Sequence, residues 1–81
     1  MATGTILWFD HGRGFGFIRP DLGPRDVFVH ASALEGVPAE AVEAGAAVEF
    51  ELVQAGDGRL VARRVLMKGL PGRRNRRARD G

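Results

Sequence analysis

The 81-residue chain has no cysteine, so neither disulfides nor a thiolate-bound metal can brace it, and side-chain redox chemistry does not indicate a compartment. Tyrosine is also absent and tryptophan occurs once, leaving five phenylalanines to supply the remaining rings. No apolar run approaches the ~20 residues that a bilayer-crossing helix needs. Met1 to Ile6 have neither the basic start nor the apolar stretch of an export signal, so a cytoplasmic protein without membrane association is expected. Carboxylates are scattered rather than clustered, which argues against metal-dependent hydrolysis. A chain this short buries only ~60% of the surface its unfolded form exposes and leaves little depth for a walled catalytic cavity. A non-enzyme needing no metal and no cofactor is the expectation.

What the chain does contain is unevenly charged. Residues 1–67 carry six arginines against nine carboxylates, whereas residues 68–81 carry Lys68, five arginines and one aspartate. The formal net charge of +2 therefore hides an acidic body and a basic tail. Such a tail suits the capture of a polyanion and equally suits a solvated end. From Gly69 onward there is almost nothing to bury, so the expected division is a folded domain over 1–67 and a disordered basic tail over 68–81.

The body is a series of short β-favouring runs separated by Gly, Pro and Asp, which predicts an all-β domain. Five strands are expected: Gly4 to Phe9, Gly14 to Arg19, Asp26 to His30, Ala47 to Gln54 and Arg59 to Leu66. Turn chemistry lies between them in Asp10-His11-Gly12, Pro20 to Pro24, and Ala55 to Gly58. The long connection from Ala31 to Ala46, with Pro38 to Ala44 closed by Gly45, predicts a short helix. Five strands with their longest connection between the third and fourth match the antiparallel, partly open Greek-key barrel known as the OB-fold. In such a barrel the aliphatic Ile18, Val27 and Val29 suit the crowded interior.

Strand alternation then places Phe15 and Phe17 together, and Phe28 with His30, on the outer face. Exposed rings on adjacent strands form an apolar patch that a soluble monomer seldom carries without a use. The use that fits is stacking of nucleobases, each worth ~1–3 kcal/mol. His11, Arg13, Arg19, Arg25 and Arg59 are placed to rim the patch, and the glycines at 12, 14 and 16 to let backbone and ligand approach. Ile6 and Trp8 share a parity that the pattern wants divided: a bulge keeps Trp8 outside, while a regular strand buries it and gives Phe9 its place. Arg63 and Arg64 are consecutive, so one of them must leave the solvent-side groove or lie at an open edge. His11 is expected to be solvated in its turn. Ser32 reads as a cap rather than a nucleophile, because no base can be assigned to it.

Trp8-Phe9, Arg13-Gly14-Phe15-Gly16-Phe17-Ile18, Asp26-Val27-Phe28-Val29-His30 and Ser32-Ala33-Leu34, in this order and spacing, resemble the bacterial cold-shock domain proteins from about Thr3 to Val65. The second and third segments are similar to that family's two ribonucleoprotein motifs. The resemblance implies an OB-fold that binds single-stranded RNA or DNA with little sequence preference, in an RNA-chaperone or antitermination role. It places Trp8, Phe15, Phe17, Phe28 and His30 as stacking residues and Arg13 as a phosphate or base contact. Phe9 and Asp10 then lie beside them, Asp26 accepts from a base edge, and Arg59 rims the site. Leu7, Ala31 and Ala39 stand where members usually have a basic residue and two further aromatics, which predicts weaker binding that the tail offsets. The competing expectation is a protein- or ribosome-docking module using the same aromatic patch and arginines.

Overall fold

The computed structural model describes residues 1–68, so the tail expected over 68–81 lies, apart from Lys68, outside the described residues. Five strands form, β1 (Ala2–Asp10), β2 (Phe15–Pro20), β3 (Val27–His30), β4 (Ala47–Gln54) and β5 (Leu60–Met67), and they close into a barrel in the order β1-β2-β3-β5-β4. The strand directions follow from the connections. β1, β2 and β3 form an antiparallel meander, β4 pairs antiparallel with β1, and β5 returns antiparallel on β4. β3 and β5 must therefore run the same way, and the seam that closes the barrel, Phe28 opposite Val61, is parallel.

Alternation fills the interior as the sequence predicts, with Ile18, Val27 and Val29 fully buried alongside Ile6, Val48, Phe50, Ala62 and Val65. Two irregularities break the period of 2. Ile6 is paired with Ile18 but Trp8 with Phe17, so Leu7 is an extra residue in β1. That bulge leaves Ile6 2% exposed and Trp8 45% exposed, resolving their shared parity in favour of an outward Trp8. In β5, Leu66 faces Glu49 whereas Arg63 faces Glu51, and Arg64 takes a positive φ of 53°. The extra residue lets Ala62 and Val65 both point inward while Arg63 and Arg64 both reach solvent. The consecutive arginines thus need no buried member.

The short helix expected between Pro38 and Ala44 is replaced by a single 3-10 turn, Ala39–Ala41, preceded by another at Ala31–Ala33. A nucleus of so few residues gains little from helical hydrogen bonds. The chain instead extends at Val42, whose side chain is fully buried and joins the core cluster. His11 is exposed in its turn as expected, and its ring also makes a tie: Nε2–H donates to the Val42 carbonyl at 2.7 Å, fastening the turn after β1 to this connection.

Candidate nucleic-acid interface

Pairing across β1, β2 and β3 lays the outward side chains in rows. Trp8, Phe17 and Phe28 stand opposite one another in one row, and Asp10, Phe15 and His30 in the next. Cross-strand neighbours on one face lie within contact distance, and here the rings touch. Trp8 is 5.4 Å from Phe17 and 5.8 Å from Phe15, centroid to centroid. Phe28 is 5.8 Å from both Phe15, nearly parallel at 29°, and Phe17, edge-on at 77°. The three phenylalanines are only half-buried because they cover one another's edges, and none belongs to the barrel core. The result is a contiguous aromatic surface that presents both faces and edges to water.

Polar groups border it in fixed geometry. The His30 ring accepts the Ser32 N–H at Nδ1, 3.1 Å away, and lies 3.0 Å from the Ser32 hydroxyl. An acceptor at Nδ1 puts the ring proton on Nε2, leaving a donor free for a ligand. The capping role expected of Ser32 thus falls to His30, whose ring accepts the Ser32 N–H at the start of the Ala31–Ala33 turn. Asp10 caps the following turn by accepting from the Arg13 N–H at 3.0 Å and pairs with its guanidinium at 3.9 Å. Arg59 lies 6.0 Å from the centre of Phe28 and 3.6 Å from Asp57. The Asp57 carboxyl is held below its ordinary value of 3.8, chiefly by the Arg59 backbone N–H and also by its charge. Asp26, the expected base-edge acceptor, is exposed and pairs with Arg19 at 3.8 Å. These pairs are solvent-exposed and individually weak, so a phosphate can draw the arginines away from their carboxylates at little cost.

Phe9 departs from its expected place. After the bulge it falls opposite Gly16 on the inner face, packs against the core and lies 5.6 Å from the His11 ring. It supports the aromatic surface from behind and is not part of it. This also changes the meaning of Gly16. A Cβ there would collide with the Trp8 carbonyl oxygen and come within 2.8 Å of the Phe9 Cα, so the glycine serves the chain's own packing and not a ligand's approach. Gly14, with φ of 80°, closes the turn by donating to the Asp10 carbonyl at 2.7 Å. Val61, beside Phe28 across the parallel seam, extends the surface in a way that no local sequence signal reveals. Among the described residues no three His, Cys, Asp or Glu side chains are grouped to hold a metal ion.

Comparison with known proteins agrees with this architecture. The model of the "Cold-shock" DNA-binding domain matches residues 2–67. A probable cold shock protein of Sinorhizobium fredii is 50% identical over 54 residues, which are 67% of this chain and 78% of that protein. Cold shock-like protein CspB of Yersinia pestis is 48% identical over 56 residues, 69% of this chain and 80% of the relative. Among solved structures, drosophila Unr CSD456 superimposes with a TM-score of 0.70 at 25% identity, covering 86% of this chain and 27% of that one. With its closed five-stranded barrel and these relatives, the chain belongs to the cold-shock domain family of nucleic-acid-binding OB-folds.

Proposed function

We propose that this protein is a non-enzymatic binder of single-stranded RNA or DNA, acting as a monomer without metal or cofactor. Bases unstacked from their own strand lie against Trp8, Phe15, Phe17 and Phe28, while His30, Arg13 and Arg59 contact their edges and phosphates. The observation that carries this reading is the unbroken contact among four rings on the outside of a barrel whose core is complete without them. Rings recruited for stability would be expected inside. Stacking tolerates every base, since each has a π-face, so little sequence preference follows. Occupying bases that would otherwise pair, and releasing them readily because each contact is modest, is the physical basis of an RNA-chaperone role.

Trp8 reports on its own site. Titration with a pyrimidine-rich oligonucleotide should quench its fluorescence at low salt, and the signal should recover as salt rises. The absence of any response at micromolar protein would refute the reading and assign the aromatic surface to a protein partner instead. Matched RNA and DNA strands in the same titration determine which of the two is preferred.

A further inference from the structure

The seam between β3 and β5 is joined at two places, Phe28 opposite Val61 and, further on, Leu34 bridged to Val65. The Glu35 N–H reinforces the second by donating to the Val65 carbonyl at 2.9 Å. Between them β3 ends at His30 and turns away through Ala31–Ala33. The strands part and leave a cleft of about 310 Å³ lined by His30, Ser32, Glu35, Ala62, Arg63 and Arg64 among others. Ala62, which is only 1% exposed and belongs to the core, separates it from the barrel interior. His30, the last side chain in the aromatic rows, is one of its walls, so the cleft adjoins the aromatic surface.

The cleft is flanked by two cations that the fold does not use for packing. Both Arg63 and Arg64 are exposed. Among the described residues no carboxylate lies within ion-pair distance of Arg63, although Glu51 faces it across the strands. Arg64 lies 3.7 Å from Glu35. Its φ of 53° is a conformation for which glycine or asparagine is better suited, since Cβ crowds the backbone there. A long cation stands at a position where local geometry favours a short residue. A residue held in this way invites a functional explanation.

We propose that this cleft is a phosphodiester subsite. A strand stacked on Phe15 and Phe28 leaves the aromatic surface past His30 and seats one backbone phosphate between the guanidinium groups of Arg63 and Arg64, with the Nε2–H of His30 at the rim. Glu35 occupies the place of that phosphate in the free protein, holding Arg64 until the stronger anion displaces it. The inference rests on the single-strand reading above and adds to it a contact beyond the stacking residues.

The test is a set of titrations of the full chain with a heptanucleotide, read from Trp8 fluorescence across a salt series. Arg63→Ser combined with Arg64→Asn, which suits the positive φ and should preserve the barrel, is expected to weaken binding about tenfold at low salt and to flatten the salt dependence by roughly one phosphate's worth. Glu35→Gln should tighten binding by about two- to threefold, since it frees Arg64. A single neutral methylphosphonate, moved along the oligonucleotide, should weaken wild-type binding at one position and have no effect there on the double variant. If the double variant keeps wild-type affinity and salt slope while Phe15→Ala weakens binding, the subsite is refuted and the stacking reading stands. If wild type itself fails to bind, both fall.

Discussion

At the scale of single residues, Phe9 and Phe15 show how one bulge divides chemically identical side chains between two tasks. Phe15 touches Trp8 and Phe28 outside the core, and Phe9 packs against it from within the barrel. Phe15→Ala should therefore cost about 1–3 kcal/mol of oligonucleotide binding, with a much smaller change in stability. Phe9→Ala should reverse the order, lowering stability by about 2–3 kcal/mol as a large-to-small change at a half-buried site. Thermal unfolding and fluorescence titration of both variants check the pair; equal effects on affinity would place Phe9 on the binding surface after all. Gly16→Ala tests the backing of the same surface. The new methyl would meet the Trp8 carbonyl and the Phe9 backbone, which no side-chain rotation relieves, so a loss of about 1–3 kcal/mol from overpacking is expected. A variant with wild-type melting temperature would show that β1 and β2 can part without cost.

Among elements, β1 does most to position the site, because its bulge at Leu7 turns Trp8 out after Ile6 has turned in. Deleting Leu7 would remove the extra residue, so that Ile6 and Trp8 become neighbours paired with the adjacent Ile18 and Phe17, and simple alternation would keep Trp8 outward and Phe9 inward. Tryptophan emission should therefore remain that of an exposed ring, and its quenching by oligonucleotide should persist. A blue-shifted spectrum with lost quenching would mean that the shortened strand slips by one residue and turns Trp8 inward. The β4–β5 hairpin bears on the site through its turn, where Gly58 donates to the Ala55 carbonyl at 2.9 Å and Asp57 accepts from the Arg59 N–H at 2.9 Å. The folded Asp57 value is depressed below 3.8 by that hydrogen bond first and the Arg59 charge second. Its stabilising contribution is therefore complete above the unfolded carboxyl value and is lost as pH falls through the lower folded value. Asp57→Asn should narrow the difference in melting temperature from wild type in acid, starting near 3.8, and leave it constant above. A difference that persists unchanged through the acid range would exclude this linkage. Of these elements, the strands and turns were legible because they are written locally, in alternation and in Gly, Pro and Asp. The bulges were legible only as a parity conflict at Ile6 and Trp8 and as the adjacent Arg63 and Arg64. Their exact form depends on closing the barrel, a property of strands distant in sequence.

For the whole molecule, what the sequence left unreadable is nonlocal in the same sense. Val42 is as buried as any core residue, yet it sits in an alanine-rich connection with no periodicity to mark it, and its place in the core is set by strands distant in sequence. The parallel contact of Phe28 with Val61 and the cleft beside it likewise exist only once five strands close. Charge, by contrast, is readable from composition alone: the body is net acidic, and five arginines follow Lys68. An acidic body repels the phosphates that its aromatic surface must approach, so stacking alone would have to overcome that repulsion. If the arginines from Arg73 to Arg79 supply the missing attraction, removing residues 69–81 should weaken binding most at low salt and shrink the slope of log affinity against log salt by ~0.7 for each phosphate that the tail had neutralised. The stacking contribution should survive, so the truncated and full-length chains should converge in affinity at high salt, where screening silences the arginines. Parallel salt curves would show that the tail neutralises no phosphates, and coincident ones that it leaves binding untouched; in either case the barrel's own Arg13, Arg59, Arg63 and Arg64 would have to account for all of the electrostatic attraction.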